Sequence, residues 1–415
     1  MKILFLTDNF PPEVNAPASR TFEHCREWAR LGHEVTVITG VPNFPRGTVF
    51  PGYRNWPWQS ETMDGIRVVR VWTYVAANRG VVRRTLDYLS FMASATVAGA
   101  FVARPQVVVG TSPQFFTVVA AWIVSWIRCR PFVFELRDLW PESIYAVAAV
   151  RAGWALRMMD RLAMFLYRRA ARIVAVTQSF RGVLAGRGVD ATKIRVVTNG
   201  VDLGRFRPRP RDQSLALKLG LEGRFVAGYV GTHGMAHGLE TILDAAERIA
   251  KSPDAERFRF VLLGDGACKA ALRADAMHRG LRNVLFLDTV PKEEVARYWS
   301  LLDVAIVHLK RDAVFRTVIP SKLFECMGMG IPVLHGVEGE SAGIVREHCI
   351  GRCFEPGNGD ALAAAVRGVA ADTREMEAYR MACLAAAPRF DRGQLAARML
   401  AVLEEMRIAP VDTVT

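Results

Sequence analysis

The run Lys2-Ile3-Leu4-Phe5-Leu6-Thr7 is apolar without alternation, and this pattern constrains the fold most because it returns throughout the chain. A strand that is apolar on both sides must be covered on both faces, which calls for helices on either side of a parallel sheet. A loop rich in proline and asparagine follows over 8–17, then a helix over 18–31 closed by Gly32, then a strand over 34–39, together a βαβ unit. The cycle continues with strands at 66–72, 107–109, 131–135, 173–176 and 194–197. It stops at 205–212, where Pro208 and Pro210 mark a linker, and restarts with strands at 225–230, 258–263, 284–287, 304–307 and 331–334. Two successive α/β halves predict two doubly wound domains with a cleft between them.

The first turn excludes one common tenant of such a fold. A dinucleotide fold would carry GxGxxG there, and Asp8 to Asn15 contains no glycine. The proline-rich segment 40–64 is too long for an ordinary connection and reads as functional or mobile. Two helical stretches, 85–103 and 113–127, are unusually apolar, yet no run of about 18 uninterrupted apolar residues offers a membrane span. Trp122 and Trp126 share a helix face, and Arg79, Arg83, Arg84, Arg128 and Arg130 flank these stretches, as helices lying on a membrane surface require.

A hydrophobic fraction of 51% with 23% charged residues excludes a disordered chain. The net charge of +13 points to anionic partners. The arginines are spread along helices (Arg157, Arg161, Arg168, Arg169, Arg172, Arg181, Arg187) with no zinc-finger or RNP-type pattern, so a membrane surface or a lipid-linked phosphate fits better than nucleic acid. Seven cysteines without a CxxC pair, and a start lacking signal-peptide character, lead to the expectation of a reduced, cytoplasmic setting.

Three places carry candidate chemistry. In Arg316-Thr317-Val318-Ile319-Pro320-Ser321-Lys322-Leu323-Phe324-Glu325, Ser321 is placed to cap a short helix and Lys322 falls in its first turn. A cation there opposes the helix dipole unless an anion sits between it and the amides, so a phosphate is the expected ligand. The glycine-rich turn from Gly231 to Gly238 can bring backbone close to a phosphate. Its His233 and His237 are four apart, but the glycines argue against one helix holding both, and no metal is expected. Arg137, Asp138 and Glu142 follow the strand at 131–135, where ligands of open α/β sheets bind.

The chain resembles the retaining glycosyltransferases of family four. The carriers are Pro11-Pro12, Gly32-His33-Glu34-Val35, Asn199-Gly200-Val201-Asp202, Gly264-Asp265-Gly266 and the stretch from Arg316 through Gly330-Ile331-Pro332-Val333. Arg137 to Glu142 and Thr317 to Glu325 look like the branch of N-acetylfucosamine transferases of colanic acid and O-antigen. The resemblance implies the α/β GT-B architecture: two Rossmann-like domains facing a central cleft, 1–205 for the acceptor and 206–391 for the nucleotide sugar, with a last helix at 392–410 packing back on the first. It implies a UDP-sugar donor at Gly231, Thr232, His237, Gly238, Gly264, Thr289, Val290, Lys310, Arg316, Ser321, Lys322 and Glu325. Asn9, Pro12, Asn15 and Glu142 are implied acceptor contacts, and Asp138, Arg137, Lys322 and Thr317 catalytic groups.

The chain also departs from that pattern. Of the family's two acids eight positions apart, Glu325 matches the second, which holds the ribose, and Thr317 stands at the first. Thr232 and His237 replace the usual Arg and Lys of the glycine turn, so Lys310, Arg316 and Lys322 must supply the positive charge. Where many members have a histidine, Arg137 and Asp138 stand here, and Asp138 is expected to orient the acceptor or accept its proton. The expectation is metal-independent transfer, with retention, of an N-acetylated amino or deoxyamino sugar to an undecaprenyl-diphosphate-linked glycan at the inner membrane face, in bacterial surface polysaccharide synthesis. A UDP-sugar 2-epimerase and an inactive membrane-docked scaffold are the alternatives.

Overall fold

The computed structural model describes residues 1–44, 47–75, 81–140 and 153–408. They form two compact units: Met1–Thr198 together with the chain from Arg392 onward, and Asn199–Asp391.

The first unit is built on eight strands: β1 (Lys2–Leu6), β2 (Glu34–Gly40), β3 (Trp58–Met63), β4 (Ile66–Val71), β5 (Val107–Thr111), β6 (Phe132–Leu136), β7 (Arg172–Ala175) and β8 (Ile194–Val196). Their order is β3-β4-β2-β1-β5-β6-β7-β8. Neighbours are parallel except β3 with β4. Successive side chains enter opposite cores: Ile3 and Phe5 join Val35, Val37 and Val109, while Leu4 and Leu6 join Ile38, Val69 and Val108. Both faces are dry, hence the unbroken apolar runs.

The segment 40–64 is not all loop, for it contains the edge strand β3. Asp64 and Gly65 have φ of 46° and 81°, the left-handed pair that closes a two-residue hairpin and lays β3 antiparallel on β4. The helix Arg392–Ile408 covers one face of the sheet. Its Leu395, Ala396, Met399 and Leu403 pack with Trp28, whose indole N–H donates to the Ala396 carbonyl at 2.8 Å, and Arg392 pairs with Glu23.

The apolar helices are Val81–Phe101 and Phe115–Ile127. Much of their apolarity is core, since Phe91, Ala95, Ala98, Phe115, Val118 and Val124 are buried together. The helices touch closely enough that a Cβ on Gly99 would stand 2.4 Å from Val124 Cγ2. Among the described residues no helix is long and apolar enough to cross a membrane. Trp122 meets Phe165 edge-on at 5.0 Å, whereas Trp126 is 74% exposed. Arg79 lies outside the described residues.

The second unit contains β9 (Phe225–Val230), β10 (Phe258–Leu263), β11 (Val284–Leu287), β12 (Val304–His308), β13 (Val333–Gly336) and β14 (Gly351–Cys353). Their order, β11-β10-β9-β12-β13-β14, is wholly parallel. The proline stretch 205–212, read above as a linker, is tied into this unit. Arg211 pairs with Asp303 at 3.2 Å and donates to the Leu221 carbonyl at 2.9 Å, and Asp212 caps the helix Gln213–Lys218. In both sheets strand order reverses beside the first strand of the unit, between β1 and β5 and between β9 and β12, and ligands of such sheets bind beyond strand carboxyl ends at that point.

One buried ion pair fixes β6 to the first helix, Ala16–Arg30: Arg20 Nε lies 2.9 Å from Glu135 Oε1, with both side chains under 5% exposed. Burial alone would raise the Glu135 carboxyl, but Arg20 and Arg137 together hold it below its usual value. Arg20 also donates to the Thr198 and Val197 carbonyls at 2.7 and 3.1 Å. Replacing Arg20 with leucine strands the carboxylate and should cost the first unit about 3–5 kcal/mol in urea unfolding, much of which Arg20→Leu with Glu135→Leu should restore.

Candidate functional site

In the second unit, the loops leaving β9, β10 and β12 converge. Gly231, with φ of 141°, follows β9, and a Cβ there would stand 3.0 Å from Lys322 Nζ. Gly264, with φ of 144°, follows β10, and a Cβ there would come within 2.0 Å of the Gly231 carbonyl oxygen. Only glycine lets these two loops and the lysine share the space. Lys322 opens the helix Lys322–Met329, and its stem is half-buried while its ammonium is sealed from water. Nζ lies 3.6 Å from the Tyr229 ring centroid and has no hydrogen-bond partner. A ring face is a weak substitute for an acceptor, and burial pushes this lysine down to about 7, against the opposing pull of Glu325.

Burial lowers His233 to about 4 and His237 to about 3, and raises the Tyr229 phenol. His308 accepts from Gly357 N at 3.0 Å, so its other nitrogen carries the proton and donates to the His237 carbonyl at 2.7 Å. The loop after β12 closes on the glycine turn through Lys310 N, which donates to the Ala236 carbonyl at 2.9 Å. Lys269 spends its three protons on the Gly264 carbonyl, the Leu287 carbonyl and Asp288, at 2.7, 3.0 and 2.6 Å, and so clamps the loops after β10 and β11.

The structure brings Gly231, Gly238, Gly264, Lys310 and Lys322 into one neighbourhood, with Gly238 against Lys310 and His308. Thr232 is exposed and offers its carbonyl to the Tyr229 hydroxyl at 2.8 Å. Glu325 sits in the first turn of the same helix as Lys322. The Ser321 cap needs correction, and the remaining candidates are placed as follows. Ser321 is helical, at φ −58° and ψ −30°, and its side chain makes no cap bond: the chain already turns at Pro320, whereas a capping hydroxyl needs extended backbone. Arg316 is turned outward onto Glu338, 2.8 and 2.7 Å away. The Thr317 hydroxyl donates to the Val314 carbonyl at 2.7 Å. Thr289 and Val290 follow the edge strand β11, with β10 between them and β9. His233 lies outside the short 3-10 turn Met235–His237, so no helix carries both histidines.

In the first unit, the loops after β1 and β5 border a cavity of about 260 Å³ lined by Asp8, Asn9, Glu13, Asn15, Asp87, Gln114 and Trp140 among others. Asn15 caps the first helix by accepting from Ala18 N at 2.8 Å, donates to Asn9 at 2.7 Å, and Asn9 donates to Asp8 at 3.2 Å. Pro12, joined to Pro11 by a cis bond, is not among the lining residues. Arg137 N and Asp138 N both donate to the Ser112 hydroxyl, at 2.7 and 3.2 Å. Burial brings Asp138 up to about 6 against the pull of Arg137, and brings Arg137 down to about 10. Asp138 therefore exchanges a proton near neutrality. Glu142 lies outside the described residues.

Tyr229, Lys269 and His308 escaped the sequence reading, as did Asp8, Glu13, Asp87 and Gln114. Lys269 could not be found from spacing because two of its partners are backbone carbonyls on other loops. Glu13 carried a weak signal, an acid inside a loop that otherwise offers proline and asparagine.

Comparison with known proteins identifies the family and the fold. The chain is 25% identical over 381 residues to WcaI of Escherichia coli (strain K12), described as a colanic acid biosynthesis glycosyl transferase, covering 88% of this chain and 91% of the relative. It is 25% identical over 236 residues to WbjE of Pseudomonas aeruginosa, described as a glycosyltransferase, covering 56% and 58%. Its fold matches Anabaena HepE, solved in complex with UDP and glucose, at a TM-score of 0.71 and 19% identity, covering 97% of this chain and 99% of that one. Residues 15–200 match the family "Glycosyl transferase 4-like domain" and residues 224–372 the family "Glycosyl transferases group 1". With both units matched in sequence and the two parallel sheets matched in fold, the chain belongs to the GT-B glycosyltransferases that join a glycosyl transferase 4-like domain to a group 1 domain.

Proposed function

We propose that this chain transfers a sugar, with retention and without a metal ion, from a UDP-sugar to a lipid-diphosphate-linked glycan in bacterial surface polysaccharide synthesis. The observation that carries the reading is the buried Lys322 ammonium, without an acceptor, beside Gly231 at the switch point of the second sheet. Such a cation is satisfied by a diphosphate, whose departing charge it then stabilises as the sugar leaves. Lys310 adds charge at the loop beside it, and Glu325 is assigned to the ribose. Asp138, near 6, is assigned to orient the acceptor hydroxyl or take its proton. The naming of WcaI for colanic acid, and the UDP held by HepE, support the polysaccharide setting and the uridine donor. An N-acetylated amino or deoxyamino sugar is our choice within that donor class.

The reading extends to the inner membrane face. The helix Val81–Phe101 turns Val82, Leu86, Leu89, Ala93, Val97 and Phe101 outward, an exposed apolar stripe at helical spacing, and Trp126 is exposed as well. Arg128, which donates to the Ala100 and Val102 carbonyls at 2.9 Å each, puts Trp126 beside the end of that stripe. A stripe of this kind flanked by arginines suits an anionic bilayer surface.

Mass spectrometry of reactions offered several UDP-sugars, GDP-mannose and a lipid-diphosphate sugar should show one UDP-sugar consumed only when acceptor is present. Chromatographic or NMR detection of the equal-mass 2-epimer of UDP-N-acetylglucosamine, formed without acceptor, would instead establish the epimerase. Lys322→Ala should lower turnover by about 10²–10³ without destabilising the fold. Because a diphosphate raises the Lys322 pKa above its unliganded value near 7, binding takes up a proton, and calorimetric UDP affinity should fall as pH rises from about 7 to 9. His233 and His237 stay neutral across that window, so Lys322→Met should flatten the profile. Vesicles rich in phosphatidylglycerol should pellet the protein at low salt and release it near 1 M, where the screening length is about 3 Å. Phe101→Glu with Trp126→Glu should leave it in the supernatant, and a wild-type protein found wholly there at low salt would refute the docking surface.

A further inference from the structure

His308 ends β12, a strand otherwise apolar, yet the imidazole is only 1% exposed. Two glycines clear its slot. A Cβ on Gly336, its partner across to β13, would stand 2.5 Å from His308 Cδ2, and one on Gly238 would stand 3.1 Å from Cε1. Phe354 stacks on the ring face, with centroids 5.8 Å apart and planes 7° apart.

Both ring nitrogens are engaged, and on different loops. The Gly357 N–H, beyond β14, donates to Nε2 at 3.0 Å, while Nδ1 lies 2.7 Å from the His237 carbonyl in the glycine turn. A backbone N–H can only donate, so Nε2 is bare, the proton is on Nδ1 and the ring is neutral. Burial favours the same neutral state, more than the His237 carbonyl and Glu240 oppose it. The loop at Gly357 thereby selects the tautomer that can hold the turn.

The consequence falls on the turn itself. Lys310 N takes the Ala236 carbonyl at 2.9 Å, so the end of β12 holds two successive carbonyls, one by its backbone and one by the imidazole. A peptide unit is planar, so holding the His237 carbonyl also fixes the Gly238 N–H on the opposite edge. A carbonyl oxygen left loose there could instead swing toward an arriving anion and repel it.

We propose that His308 is a positioning residue of the donor site: kept as the Nδ1–H tautomer by Gly357, it holds the His237 carbonyl, and with it the turn, in the shape that receives a diphosphate. That the ligand is a diphosphate rests on the function proposed above; that His308 shapes the turn does not.

Two substitutions in the full chain separate the two bonds. His308→Asn puts an amide N–H about where Nδ1 stands and gives up Gly357, whereas His308→Gln reaches Gly357 N with its carbonyl oxygen and gives up the turn. Each loses one hydrogen bond at the same buried place, so a purely structural role requires similar losses in both. Hydrogen-exchange mass spectrometry without nucleotide should show His308→Gln speeding exchange over 231–240, and His308→Asn speeding it over 354–358 instead. Calorimetry should find UDP held about tenfold more weakly by His308→Gln but within about threefold of wild type by His308→Asn, at closely similar Tm. Imidazole NMR of the wild-type chain tests the same point without a substitution, and a His308 proton on Nε2 would overturn the proposal. So would equal exchange in the two variants, or a turn loosened by His308→Gln with UDP affinity left at the wild-type level. The split in exchange in a protein whose wild type neither binds UDP nor transfers sugar would overturn the diphosphate reading, while still establishing His308 as the residue that shapes the turn.

Discussion

A parallel strand covered on both faces has nowhere to present polar chemistry except beyond its carboxyl end. Both sheets of this chain are of that kind, with alternate residues of β1 and of β9 feeding two separate dry cores. Each unit consequently gathers its polar groups in the loops beyond the point where strand order reverses. The glycine turn and Lys322 belong to one such place, the Asp8–Asn15 loop and Gln114 to the other.

The two units treat buried charge in opposite ways. Arg20 and Glu135 are nearly inaccessible and pair with each other, and two backbone carbonyls take further guanidinium protons; the pair fixes a helix to a strand. Lys322 is sealed with only a ring face for company. Folding gains nothing evident from that arrangement, since an unpaired buried ammonium is costly, whereas the diphosphate of the proposed function would gain a preorganised partner. Lys269 shows what a purely structural lysine looks like in the same place, with its three protons committed to two carbonyls and a carboxylate.

The departures at Thr232 and His237 take on meaning in this setting. Neither supplies a cation, because Thr232 is neutral and His237 is held near 3, so under the proposed function the diphosphate charge would fall to the helix that starts at Lys322. Arg316, which the motif put forward as a further supplier, is engaged by Glu338 on the loop after β13. Which of three nearby basic residues is available is a property of neighbours that are remote in sequence.

The sequence by itself determined the two α/β halves, nearly all the strands and the resemblance to family-four transferases, and it put Lys322 forward as a candidate, because period, glycine placement and motif order are local records of burial and backbone conformation. It missed β3, whose Asp64-Gly65 turn was hidden among prolines, and it read as a linker a stretch that Arg211 ties to Asp303. Only the tertiary structure decided that Ser321 is no cap, that Arg316 is engaged, and that Asp8, Glu13, Asp87 and Gln114 share one cavity. The physical reason is the same in each case: a hydrogen bond or a shared void joins groups tens of residues apart, and neither leaves a period or a spacing in the chain.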